Sequence, residues 1–129
     1  MRKAGLLLSF ILWATISGSA CTLGDVVDDI MTHLKNADTK ELSGYFSSSV
    51  SITLLKDEGV YSKVQAEIIL KEFFNRNRPK EISAVQKLDS NPNFRYVVLN
   101  MRTEERSLRV SFKLVAEADS FKITELRIE

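Results

Sequence analysis

The chain has 129 residues, with 18 basic and 17 acidic side chains, one histidine, one cysteine and 44% hydrophobic residues. That length argues for one domain, the lone cysteine excludes an intramolecular disulfide, and the near-neutral balance gives no electrostatic footprint for nucleic acid. One histidine and one cysteine also offer no ligand cluster for a metal, and no phosphate-cradling glycine loop or Ser/His/Asp arrangement stands out.

Residues 1–20 read as a signal peptide. Arg2 and Lys3 precede "AGLLLSFILWATI", and the small residues of "SGSA" come just before Cys21. The apolar run is too short to span a bilayer comfortably and has no polar face for a buried helix. This predicts export to the cell envelope, with residues 21–129 as one mature domain. The segment also resembles a bacterial lipoprotein signal, in which the cysteine thiol receives a diacylglycerol and becomes the mature N-terminus. Ser19 and Ala20 fit that pattern, whereas Gly18 stands where an aliphatic residue is usual. Ordinary cleavage after Ala20 is the alternative. Removing Arg2 and Lys3 from the 18 basic residues leaves 16 against 17 acidic, a mature net charge of −1.

"LGDVVDDIMTHLKNAD" (23–38) places Val27, Ile30, Met31 and Leu34 at helical spacing, with Asp25, Asp28 and Asp29 at its start and Lys35 at its end, as the helix dipole favours. A short second helix follows, capped by Asp38 with Glu41 three residues on. "SVSITLL" (49–55) predicts a strand, "KDEG" (56–59) a turn built on Gly59, and "VYS" a brief return strand. Ser62 and Gln65 form a capping-box pattern. The helix they start carries Val64, Ala66, Ile68, Ile69, Leu70, Phe73 and Phe74, apolar around most of its circumference near its end, which predicts that it is well buried. "NRNRPK" (75–80) stops it at Pro79.

Four strand patterns complete the chain, at about 81–89, 93–103, 106–117 and 120–129, with connections short enough for antiparallel neighbours. Pairing Thr103 with Arg106 sets Met101 against Leu108, Leu99 against Val110 and Val97 against Phe112 on one apolar face. The other face pairs Asn100 with Arg109, Val98 with Ser111 and Tyr96 with Lys113. Extending the register puts Ile82, Ala84, Gln86 and Leu88 on the apolar face, Val85 and Lys87 on the other, and Glu81 opposite Arg102. In the last strand the alternation slips, and a bulge at Thr124–Glu125 returns Leu126 and Ile128 to the core and brings Glu129 near Arg109. The result is an α+β domain. Three helices from the first half pack on the concave face of a curved, mainly antiparallel sheet of about six strands.

This order of elements resembles the nuclear-transport-factor-2-like fold, also called the cystatin-like cone. More closely, "GVYSKVQAEIILKEFF", the preceding "ELSGYF" and the terminal "LRIE" resemble a bacterial secreted family, domain of unknown function 4783. The resemblance spans about Asp25 to Glu129. It implies the cone fold, export and an unassigned biochemical role, and it supplies no catalytic residues.

Fold alone does not choose a function, so the residues must. On the concave face the polar residues are Gln86 and, near a strand end, Arg95. His33 lies beside the apolar stripe of its helix. The residues placed to line a ligand pocket at the cone mouth are Tyr45, Phe46, Tyr61, Phe73, Gln86 and Phe112, each with core packing or a structural hydrogen bond as its ordinary role. Val85, Lys87, Tyr96, Val98, Arg109 and Lys113 make a mixed convex face suited to an interface, including a homodimer. The leading reading is a non-catalytic envelope domain that binds a small apolar ligand or a protein partner, without a cofactor. One alternative is an isomerase or lyase using Tyr61 or Tyr45 with a carboxylate such as Asp57. Another is a dimeric assembly scaffold.

Overall fold

The computed structural model describes residues 24–129; the signal segment and Cys21 lie outside them. In chain order the elements are α1 (Gly24–Lys35), α2 (Thr39–Ser43), β1 (Phe46–Leu54), β2 (Asp57–Ser62), α3 (Lys63–Arg76), β3 (Glu81–Asn91), β4 (Phe94–Arg102), β5 (Ser107–Glu117) and β6 (Ser120–Ile128). The three helices pack against one curved sheet with strand order β2-β1-β6-β5-β4-β3.

The helix starts follow from their caps. Asp38 Oδ1 accepts from the Glu41 amide at 3.3 Å, and at α3 both halves of the capping box are present, Gln65 N donating to Ser62 Oγ at 3.3 Å and Ser62 N to Gln65 Oε1 at 3.4 Å. These bonds satisfy amides that have no partner in the first turn. At the other end of α3, Asn77 donates through both its backbone N and its Nδ2 to the Phe73 carbonyl, two residues before Pro79.

The β4–β5 register is the one that the alternation predicts, from Met101–Leu108 to Tyr96–Lys113, and Glu81 lies opposite Arg102 with a 3.6 Å ion pair. Thr124 is bulged out between β5 and β6, so Leu126 faces Phe112 and Ile128 faces Val110; Glu129 and Arg109 exchange two backbone hydrogen bonds. The β1–β6 pair is parallel, a long-range pairing with no local signature in the sequence.

Three local expectations are corrected. The tight turn of the β1–β2 hairpin is Leu55–Lys56, and Gly59 is an ordinary strand residue opposite Ile52. Leu55 takes the left-handed backbone (φ 57°) that the turn needs, a conformation that costs a residue with a Cβ about 1–2 kcal/mol. The bulge at Val85 between Ala84 and Gln86 moves the rest of β3 by one residue, so Gln86 comes opposite Val98, Lys87 opposite Val97 and Leu88 opposite Tyr96. Gln86 and Leu88 therefore sit on the outward side and Lys87 on the inward side, the reverse of the simple alternation. Finally, α3 is not buried all round: it packs on α2, β1 and β2 through Ala66, Leu70, Phe73 and Phe74, leaving Val64 67% and Ile68 54% exposed.

Inside the cone, rows of side chains run across the strands: Ile52–Leu126–Phe112–Val97, and beside it Ile128–Val110–Leu99. All are at most 1% exposed, as are Leu34 and Ile30 of α1, Leu42 of α2 and Leu70 of α3, which close over them. The apolar area removed from water here is the main stabilising term, at roughly 25 cal/mol per Å².

Candidate functional site

The depth of the cone is solid. Phe46 and Phe112, placed at the pocket by the sequence reading, are 0% exposed core residues. Packed interiors leave little room for a ligand, and the polar residues buried among those described are Thr39, Thr53, Thr103 and Ser111. Gln86 is exposed on the outward side. Tyr45, just ahead of β1, sits against the helices: its ring centroid is 5.8 Å from that of His33, and its hydroxyl donates to Asp29 Oδ2 at 3.5 Å. Burial first, and then the Asp29 and Glu41 carboxylates, push its pKa above the ordinary 10.0. Each disfavours the phenolate.

The mouth is open. Between the tip of the β1–β2 hairpin, the last two turns of α3 and the β4–β5 turn lies a cleft of about 1250 Å³. The hairpin contributes Leu54, Leu55, Lys56, Asp57 and Tyr61. Helix α3 contributes Ile69, Glu72, Phe73 and Arg76, a single stripe at i, i+3, i+4 and i+7. The far wall is Glu105 and Arg106, with Arg106 Nη2 donating to Asn77 Oδ1 at 3.4 Å. Of the six pocket candidates, Tyr61 and Phe73 come together here. Asp57 also lines the cleft, and it is exposed.

Strand β2 presents Asp57, Gly59 and Tyr61 to the same side, because alternate residues share a face. The phenol of Tyr61 lies back along the strand onto Gly59. A Cβ at residue 59 would sit 2.6 Å from the Tyr61 hydroxyl and 2.7 Å from Cζ. Among the described residues, neither the Tyr61 hydroxyl nor the Arg76 guanidinium has a hydrogen-bond or ion-pair partner. Sequence reasoning missed Arg76, Asn77 and Arg106, assigning the first two to helix termination and the third to the start of a strand, opposite Thr103. The mixed apolar and charged stripe of α3 was the signal for the cleft wall.

A second cavity, of about 580 Å³, lies at the opposite end of the sheet, where Arg95 faces Leu114 across the strands and stacks its guanidinium 5.0 Å from the centre of the Phe121 ring. No group of three His, Cys, Asp or Glu residues suited to a metal occurs among the described residues.

The outward face of the sheet has two halves. Over β6 and β1 it is polar, with Glu125, Arg127, Ser51 and Thr53. Over β3–β5 it is mixed: Val85 is 63% exposed, Leu88 48% and Phe94 37%, around half-buried Tyr96 and Val98, with exposed Gln86 and Asn100 among them. Lys113 stands with Nζ 5.2 Å from the Phe94 ring centre, and Arg109 lies opposite Asn100.

The chain is similar to several solved structures. A family member from Bacteroides uniformis, of the domain of unknown function 4783, aligns over 81% of this chain and 95% of its own with a TM-score of 0.76 and 17% identity. One from Bacteroides ovatus aligns over 77% and 89% with a TM-score of 0.72 and 21% identity. A nuclear-transport-factor-2-like protein of unknown function from Cytophaga hutchinsonii aligns over 84% and 88% with a TM-score of 0.60 and 10% identity. At these identities the likeness is one of fold. No curated protein matches. The sequence profile of the Domain of unknown function (DUF4783) family matches residues 27–129, and with that span and the cone fold the chain belongs to this family.

Proposed function

We propose that this protein is a non-catalytic association domain of the cell envelope, exported by its N-terminal segment, anchored through a lipid on Cys21, and paired with a second copy through the outward face of its sheet. The observation that carries this reading is the contrast between the two sheet faces. The depth of the inward face is filled by side chains of its own helices. The outward face leaves Val85, Leu88 and Phe94 in water, and contiguous exposed apolar surface marks interaction sites.

A second copy suits this surface because a two-fold interface must be self-complementary. Tyr96 and Val98 supply the aromatic and aliphatic centre, and the neighbouring strands carry both signs of charge, Lys113 and Arg109 on β5 and Glu125 on β6. Export is supported by the charged start, the apolar run and the small residues before Cys21.

Sedimentation of the purified protein tests the pairing. A dimer is expected, and it should dissociate in the double variant Val85→Glu, Leu88→Lys, whose sites are exposed and cost the monomer little. A wild-type protein that stays monomeric from micromolar to millimolar concentration overturns the reading, as does a dimer indifferent to both changes. Mass spectrometry of the mature N-terminus should find a diacylglyceryl-modified Cys21; an unmodified cysteine there removes the anchor.

A further inference from the structure

We infer that the cleft at the cone mouth is a binding site for a neutral, polyhydroxylated ligand, a short saccharide, in which Tyr61 is a fixed hydrogen-bonding contact and Gly59 its positioning residue. This goes beyond the association reading and does not depend on it, since the cleft lies on the inward side of the sheet.

Three observations converge. The first is the charge pattern. Every wall mixes the two signs: Lys56, Asp57 and Glu58 on the hairpin, Arg76 and Glu72 on α3, Arg106 and Glu105 on the turn. A ligand of either net charge would meet like groups as well as unlike ones. A hydroxyl both donates and accepts, so vicinal hydroxyls can bridge a carboxylate, which only accepts, and a guanidinium, which only donates.

The second is Gly59. A glycine in a strand interior weakens the strand and marks a close approach by another group. That group here is the Tyr61 phenol, which occupies the space of a side chain at residue 59 and has no hydrogen-bond partner among the described residues. Glycine thus permits an aromatic side chain to lie in the cleft wall with its hydroxyl available. The third is the apolar strip. Leu54, Leu55 and Ile69 line the same cleft, and Leu55 is held there at a left-handed φ of 57°. Backbone strain of this kind clusters at binding sites, and such a strip accepts the C–H face of a sugar ring.

The test is titration of the ¹⁵N-labelled protein with cellotetraose, maltotetraose and chitotetraose, with laurate and dodecyltrimethylammonium as charged amphiphiles of either sign. At least one tetrasaccharide is expected to shift the amides of residues 55–61, 69–77 and 105–106 saturably. Tyr61→Phe, which keeps the ring, should weaken that binding about fivefold, the effect of one neutral hydrogen bond. Gly59→Ala should weaken it at least as much, with thermal melts confirming that both variants are folded. The assignment is overturned if no saccharide shifts these amides, if either charged amphiphile binds them more tightly, or if Tyr61→Phe binds as wild type. Unchanged binding by folded Gly59→Ala removes the positioning role.

Discussion

The depth of the cone and its mouth are built from the same strands, yet they follow different rules. In the depth, Phe112 sits between Val97 and Leu126 with no exposed surface. The neighbouring row, Leu99–Val110–Ile128, ends on β1 at Leu54, half-buried in the cleft with charged groups on three sides. The depth is apolar, fully packed and closed by helices. The mouth is polar and holds a hydroxyl and a guanidinium without hydrogen-bond or ion-pair partners among the described residues. Stability should therefore be concentrated in the first region and recognition in the second.

The largest effect should come from breaking the depth. Phe112→Ala removes a fully buried ring and leaves a cavity that its neighbours fill only in part; the expected loss is about 3–5 kcal/mol in denaturant unfolding. A loss below about 1 kcal/mol would mean that this region is not the tightly packed core that its burial indicates.

Next in size is Gly59→Ala, which forces its Cβ against Tyr61. Overpacking of this kind costs about 1–3 kcal/mol, although the phenol is a movable group and some relief is expected. The sharper measurement is a double-mutant cycle. Tyr61→Ala vacates the space, so Gly59→Ala should cost much less in that background, and a coupling of about 1 kcal/mol or more is expected. Additive costs would show that the contact has no energetic weight.

Smaller still is Arg76→Ala at the mouth. Its side chain is exposed and without a partner among the described residues, so unfolding stability should change by less than about 0.5 kcal/mol. A larger loss would show that the mouth carries part of the stability assigned to the depth.

The smallest effect concerns Tyr45. Its folded-state pKa is raised, so the folded chain holds this proton more tightly than the unfolded chain does. The associated stability is complete below the unfolded tyrosine value, about pH 10, and is lost as pH climbs through the raised value. In a spectrophotometric titration of the double variant Tyr61→Phe, Tyr96→Phe, the remaining tyrosine should ionise above pH 10. Adding Asp29→Asn should lower that midpoint, because it removes the anion that opposes the phenolate.

What the sequence by itself determined is local periodicity. Alternation over 94–117 specified which side chains of β4 and β5 share a face, and an antiparallel hairpin with a short turn allows one register for that pattern. The Asp38 and Ser62 caps were legible because capping uses residues three apart. The slip before Leu126 was legible because a buried apolar pair has to return to the core.

Tertiary structure decided the rest. The Val85 bulge was invisible because Gln86 fits the alternation as well inside as out, and one inserted residue reverses the face of everything after it. Val64 and Ile68 read as core because nothing in the helix shows which side the sheet will leave uncovered. Leu55 was passed over for the turn because Gly59 is the better intrinsic candidate; the strand registers took the hairpin elsewhere and freed the glycine to seat Tyr61. Periodicity is written in neighbours along the chain. A cleft made by a hairpin tip, a helix end and a distant turn exists only when residues about fifty positions apart are brought together, and no local pattern can encode that meeting.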